Sequence, residues 1–129
     1  MNIHAVQTGV PQAEGNLVDL YFEYPIGATG AVGTAVRNRY ITMTRLGAGN
    51  YRLALDGAPN ALMAHDIKII DATPAATDGQ YAIVSVRTLG ATSSPVVEFF
   101  TYQQNGTAAD PRSGAVISGW LRVQNGPRV

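Results

Sequence analysis

The stretch Tyr40–Asp56, YITMTRLGAGNYRLALD, decides the fold class of this chain. Its centre, Gly47-Ala48-Gly49, has the composition of a phosphate-binding loop. Such a loop leads from a strand into a helix, whose N-terminus binds the anion. Here the glycines instead separate two segments in which apolar and polar residues alternate, and no lysine directly follows the loop. The stretch therefore predicts a β-hairpin whose glycines supply the positive φ angles of a five-residue loop.

Short strand-like segments continue on both sides of this hairpin. In LVDLYFEY the apolar residues Val18, Leu20, Phe22 and Tyr24 share one face, which is the pattern of a half-buried strand. Segments rich in β-branched and aromatic residues alternate with turn dipeptides such as Asp-Gly and Asn-Gly. Strands are predicted at Ile3–Thr8, Leu17–Tyr24, Tyr40–Arg45, Tyr51–Asp56, Ile67–Ala72, Tyr81–Thr88, Val96–Gln103 and Ala115–Gln124.

The absence of any long helical pattern completes the fold prediction. APNALMAHD, at Ala58–Asp66, is short and suits at most one helical turn. A further strand around Ala31–Val36 stays an open alternative, because that region is too rich in glycine for a firm prediction. About eight short strands without helices predict an antiparallel β-sandwich, most simply a jelly roll. The 129 residues suit one domain, with a flexible N-terminal arm at about 1–16 and a C-terminal tail at about 125–129. The glycine-rich segment Pro25–Ala35 is expected to be a third flexible segment.

The composition narrows the classes of partner. Nine basic and nine acidic residues cancel, so no long-range field favours nucleic acid or an anionic membrane as a partner. Cysteine is absent, which excludes disulfides, thiolate metal sites and a cysteine nucleophile. Charged residues make up only 14% of the chain, which suggests that much of its surface meets other protein.

No group of residues predicts catalysis, a cofactor or a metal. His65 and Asp66 are adjacent, so a strand would point their side chains to opposite faces. No serine has the glycine pattern of a nucleophile elbow, and no acidic residues have the spacing of a calcium loop. We therefore expect a protein that is not an enzyme, although a spatial pair of carboxylates is not visible in a sequence.

Four arginines surround the hairpin and are the candidate contact residues. Arg39 and Arg45 are predicted to share the face of Ile41 and Met43, and Arg52 lies on the partner strand. Solvated charges that protect a sheet edge are one interpretation. A patch for acidic groups of another subunit is the other, and its members are Arg37, Arg39, Arg45 and Arg52.

Two segments resemble small β-domains of tailed bacteriophages. TRLGAGNYRLALD, at Thr44–Asp56, resembles their glycine-then-tyrosine hairpin. VVEFFTYQQNGTAADPRSGAVISGWLRVQ, at Val96–Gln124, resembles their C-terminal strand pair, which is joined by an Asn-Gly turn and an Ala-x-Asp-Pro loop. These domains are similar to jelly rolls of the complement and tumour-necrosis-factor type. The resemblance brings no catalytic residues with it.

The resemblance implies a structural protein of the virion. It implies a cement, or decoration, protein that is made in the host cytoplasm, binds the outer surface of the head and stabilises it. The expected partners are the major capsid protein and further copies of the chain, as a homotrimer or alternatively a dimer. The alternative function is a receptor- or carbohydrate-binding module of the tail, with Trp120, Tyr102, Gln103 and Gln104 as candidate contacts.

Overall fold

A computed structural model describes residues 16–56, 61–71, 79–88 and 95–125 of the chain. The all-β prediction is confirmed, because the described residues form antiparallel strands and no α-helix. The predicted strand at Ile3–Thr8, the N-terminal arm before residue 16 and the C-terminal tail after residue 125 lie outside the described residues. The strands are β1 (Asn16–Pro25), β2 (Arg37–Asn38), β3 (Ile41–Gly47), β4 (Asn50–Leu55), β5 (Ala61–Ile70), β6 (Tyr81–Thr88), β7 (Val96–Tyr102) and β8 (Val116–Asn125).

The eight strands lie in one sheet that nearly closes into a barrel. Their order is β2-β1-β8-β5-β6-β7-β4-β3. Strands β5 to β7 form a meander, with β4 beside β7 and β8 beside β5. β8 forms one Greek key with β5, β6 and β7, and β4 forms a second Greek key with the same three strands. Greek keys are also the units of a jelly roll, but here the two keys share three strands and belong to one continuous sheet.

The core fills the inside of this curved sheet. The predicted face of β1 is confirmed, since Val18, Leu20, Phe22 and Tyr24 are all buried. The rings of Tyr51 and Phe99 stack with their centroids 5.7 Å apart. The other core residues come from β3, β4, β7 and β8 and include Ile41, Met43, Leu53, Leu55, Val97, Ile117, Leu121 and Val123.

Side chains bridge the two ends of the sheet where β1 approaches β3. The buried hydroxyl of Tyr24 donates a hydrogen bond to the carbonyl oxygen of Ile41 at 3.0 Å. The amide nitrogen of Asn38 donates to the same carbonyl at 2.9 Å and to the Tyr24 hydroxyl at 3.2 Å. These bonds hold the seam of the barrel at a place where no backbone ladder is formed between the described strands.

Several local predictions were wrong. Residues 61–66 of the segment Ala58–Asp66 form the first part of β5, because Leu62 packs against the core although the segment has little β-propensity. Pro25–Ala35 is not a free loop: it contains a 3₁₀ turn at Ala28–Gly30, and the Gly33 N–H donates to the Pro25 carbonyl at 2.9 Å. The two-residue strand β2 lies outside every predicted strand.

The hairpin itself is confirmed, but it is tighter than predicted. Gly47 pairs directly with Asn50, so two residues form the tip, and a register shift follows Arg45. Gly49 has φ near 66°, and a Cβ atom there would lie 2.9 Å from the backbone nitrogen of Ala109. Glycine at this position therefore satisfies both the turn and the close approach of the loop that precedes β8.

Candidate functional site

The outer face of β1, β8 and β5 carries large side chains that the core does not use. Trp120 on β8 pairs in register with Tyr21 on β1, and both side chains are exposed, by 37% and 44%. Ser118 pairs with Glu23 on one side and with Lys68 on the other. These outward positions follow from strand alternation, because their neighbours in sequence point into the core.

A groove of about 420 Å³ lies on this face. Its walls are the rings of Tyr21 and Trp120 on one side and the side chain of Ile70 on the other, and the small Ser118 lies between them. Trp120 also contacts the guanidinium of Arg122, which lies 5.8 Å from its ring centroid. We define the outer groove by Tyr21, Glu23, Arg37, Lys68, Ile70, Ser118 and Trp120.

Ion pairs lie at the two ends of the outer groove. Arg37 approaches Glu23 with 3.5 Å between nitrogen and oxygen, and Lys68 contacts Asp66 at 2.9 Å. In each pair the cation is the more exposed partner. The Arg37 side chain is 64% exposed against 23% for Glu23, and Lys68 is 58% exposed against 43% for Asp66. The two ion pairs are therefore formally neutral, but each presents its positive charge outermost.

A second apolar surface continues the outer face across β6 and β7. Tyr81 pairs with Tyr102, and their rings stack at 5.3 Å. Ile83 pairs with Phe100 and is 53% exposed. We call Tyr81, Ile83, Phe100 and Tyr102 the β6–β7 strip. Lys68 joins it to the outer groove, since it pairs with Tyr81 across β5 and β6.

The four arginines predicted as a contact patch do not form one surface. Arg37 lies in the outer groove, while Arg52 pairs with Glu98 at 2.8 Å on the outside of β4. Arg45 faces the inside of the barrel end, on the predicted face of Ile41 and Met43. Arg39 does not share that face, because the intervening Tyr40 has φ near 61° and interrupts the alternation. Arg39 instead stacks over the Tyr40 ring.

Arg45 belongs to a cluster around Asp110 at one end of the barrel. The carboxylate of Asp110 accepts hydrogen bonds from Arg45 Nε at 3.1 Å and Nη2 at 2.8 Å, and from the Gly49 N–H at 2.8 Å. The Tyr51 hydroxyl lies within hydrogen-bonding distance of Asp110 at 3.2 Å and of the Gly30 carbonyl at 2.9 Å. We call this cluster the Asp110 clamp, because it joins the hairpin, the 3₁₀ turn and the loop before β8.

The electrostatics of the clamp keep Asp110 ionised. Partial burial acts to raise the pKa of Asp110, but hydrogen bonds from Arg45, Gly49 and Tyr51 outweigh it and hold the pKa below its usual value. Burial, followed by the charge of Asp110, raises the pKa of Tyr51, which therefore stays a neutral phenol. A neutral donor and a charged donor around one carboxylate are a stabilising arrangement, and we assign the clamp a structural role.

The remaining candidates from the sequence stay apart from one another. His65 is exposed on β5, and the neighbouring Asp66 contacts Lys68. Trp120 on β8 and Tyr102 on β7 are separated by β5 and β6, so Tyr102, Gln103 and Gln104 do not join Trp120 in one site. Within residues 16–56, 61–71, 79–88 and 95–125, no three histidine or acidic side chains are grouped as metal ligands.

Comparison with known proteins gives no relative: no family model, no curated protein and no solved structure matches this chain. The candidate site therefore rests on its geometry. Sequence reasoning named Trp120 as a candidate contact. It missed the groove, because the contributions of Tyr21, Lys68 and Ile70 depend on the register between β1, β8 and β5.

Proposed function

We propose that this protein is a structural binding module, a capsid cement protein that binds the outside of a bacteriophage head and stabilises it. The observation that carries the proposal is the outer face of the sheet, on which aromatic and aliphatic side chains are exposed across the neighbouring strands β1, β8, β5, β6 and β7. Broad surfaces of this kind, with aromatic residues and arginine, are typical of protein interfaces. The phage shell as the partner comes from the resemblance of Thr44–Asp56 and Val96–Gln124.

The charges of the outer face support a protein partner. Asp19 with Arg122, Glu98 with Arg52, and the two pairs of the outer groove neutralise one another within this face. A partner therefore meets no large net charge that it would have to neutralise. Stabilisation then follows from mass action, because a protein that binds only the assembled shell stabilises it by its binding free energy. At a free concentration one hundred times the Kd, that stabilisation is about 2.7 kcal/mol per site.

Binding to purified empty phage shells tests this proposal. The intact chain is expected to sediment with the shells and to raise their dissociation temperature. Ile83→Arg introduces an unpaired charge into the β6–β7 strip and is expected to weaken binding at least tenfold. Leu46→Arg is the matched control, since Leu46 is 40% exposed on β3 and belongs neither to the outer groove nor to the β6–β7 strip. No sedimentation of the intact chain with any tailed-phage shell would count against the cement function.

A second candidate function is supported by one observation. Tyr21 and Trp120 lie side by side with exposed rings, an arrangement that suits the apolar face of a sugar. The alternative is therefore a carbohydrate- or receptor-binding module of the phage tail that uses the outer groove. Saturable binding of a disaccharide at Trp120, without any binding to shells, would favour it over the cement function.

A further inference from the structure

The row of residues across the middle of the outer groove has a defined order and spacing. Arg37 pairs in register with Glu23, Glu23 with Ser118, and Ser118 with Lys68. Arg37 and Lys68 are thus three strand spacings apart, which is about 14 Å. Ser118 lies between them and is much smaller than the flanking Trp120 and Ile70. Ser118 lies two strand spacings from Arg37 and one from Lys68. The row therefore has a depression with apolar walls nearer its Lys68 end, and each end carries an exposed cation.

The walls have the residue types that dominate binding energies at protein interfaces. Tryptophan, tyrosine and arginine are the commonest hot-spot residues, and they act best around a pocket from which water is excluded. Tyr21, Trp120 and Arg37 meet in the outer groove, and Ile70 closes it with half of its surface exposed. An apolar side chain placed over Ser118 would contact both rings and Ile70 at once.

The end charges define what must flank that apolar side chain. The outermost charges are the guanidinium of Arg37 and the ammonium of Lys68, and their own carboxylate partners are more buried. In an extended chain, residues four positions apart are about 13.6 Å apart and point to the same side as the residue midway between them. This spacing matches the backbone separation of Arg37 and Lys68. Their long side chains cover the unequal distances from the two ends of the row to Ser118.

We propose that the outer groove binds an extended protein segment of the pattern acidic–x–apolar–x–acidic, with the apolar side chain over Ser118 and the carboxylates at Arg37 and Lys68. The proposal rests on the proposed function only in taking a protein as the partner. A peptide test in solution needs no shell, so its failure and a failure of the cement function are separate results.

The test uses the intact chain and its single tryptophan, Trp120, as the fluorescent reporter. The probe is the capped peptide Asp-Gly-Leu-Gly-Asp, with Lys-Gly-Leu-Gly-Lys and Asp-Gly-Ser-Gly-Asp as comparison peptides. The first peptide is expected to shift the Trp120 emission to shorter wavelength in a saturable manner at millimolar concentration. The lysine and serine peptides are expected to bind at least tenfold more weakly.

Matched variants locate the binding. Arg37→Gln is expected to weaken binding about twofold to fivefold, as for a partly exposed ion pair. Arg52→Gln, on β4 and away from the outer groove, is expected to leave binding unchanged. Ile70→Ser should weaken binding, and Leu46→Ser on β3 should not. No saturable shift with the acidic leucine peptide up to 10 mM overturns the proposal. Equal binding of the lysine peptide, or a response to lactose with none to the peptides, also overturns it.

Discussion

Replacing Asp110 by alanine is expected to cost about 3 kcal/mol of the free energy of unfolding, although this residue lies in a loop. Its side chain is only 18% exposed and accepts hydrogen bonds from three residues of the hairpin, Arg45, Gly49 and Tyr51. Alanine removes the acceptor and leaves those donors in place. The cost is therefore set mainly by the donors that water cannot reach.

The three donors contribute unequally to this magnitude. The Gly49 N–H belongs to a buried residue, so losing its charged acceptor costs about 1–3 kcal/mol. Arg45 keeps a third of its side-chain surface in water and can be solvated again, so losing its ion pair costs about 1 kcal/mol or less. Tyr51 retains the Gly30 carbonyl as an acceptor and adds little. The sum is roughly 1–4 kcal/mol.

Urea unfolding monitored by Trp120 fluorescence measures this cost, and thermal unfolding should show a fall in Tm of about 10 °C for a chain of this length. Asp110→Asn keeps an oxygen acceptor for Gly49 and is expected to cost about half as much. Asp19→Ala is the control, because Asp19 also forms a two-bond pair with an arginine, Arg122, but is half exposed. That control is expected to cost less than about 1 kcal/mol.

The same residues predict a pH dependence with a defined sign. The folded-state pKa of Asp110 is lowered, so its contribution is present above the unfolded value of about 4 and is lost as the pH falls below it. The hydrogen bond from Arg122 lowers the pKa of Asp19 in the same way. Asp110→Asn should therefore flatten the fall in stability below pH 4. The clamp reasoning would be refuted if Asp110→Ala is as stable as Asp19→Ala and its stability falls below pH 4 as steeply as that of the intact chain.

Three further predictions concern the sheet, a candidate side chain and assembly. Gly119→Ala should lower the free energy of unfolding in urea by at least about 2 kcal/mol, because a Cβ atom there would overlap the carbonyl oxygen of Asp66. Gly47→Ala is the control: a Cβ atom there meets open space, so the loss should be under about 1 kcal/mol. Equal losses would contradict the steric argument. His65→Ala should change stability by less than about 0.5 kcal/mol, because the side chain is exposed; a larger loss in thermal unfolding would show a role for His65. The purified chain should be a homotrimer, or alternatively a dimer, by mass photometry, as the resemblance to the phage domains implies. A monomer at micromolar concentration would count against this.

Strand positions were predictable because they depend on local alternation. The predictions for β1, β4, β6, β7 and β8 agree with the structure to within one or two residues at each end. β5 was predicted too short, because Ala61, Ala64 and His65 have little β-propensity and are held in the sheet by pairing with β8. That pairing joins residues far apart in sequence, so no local pattern records it.

The candidate site was less predictable, because the type of a residue does not indicate which residue it contacts in the fold. Arg45 and Arg52 are seven positions apart around the hairpin, yet one binds Asp110 inside the barrel end and the other binds Glu98 on the outside. Asp110 itself entered the prediction only as the aspartate of a loop. The Ala-x-Asp-Pro loop was the sequence signal for it, but a loop pattern alone does not indicate that the hairpin supplies its hydrogen-bond donors.

The charged residues that stabilise the barrel end lie apart from those proposed to bind a partner. Six ion pairs join twelve of the charged side chains in the described residues, so most of the few charges are satisfied within the chain. Two of these pairs border the outer groove, while the Asp110 clamp lies at the barrel end, next to the hairpin. Variants of the clamp should therefore lower stability and leave peptide affinity unchanged after correction for unfolding. Variants of Arg37 or Ile70 should lower peptide affinity and leave stability unchanged. If a double variant of the clamp and the groove departs from the sum of its single variants by more than about 0.5 kcal/mol, the groove depends on the barrel end.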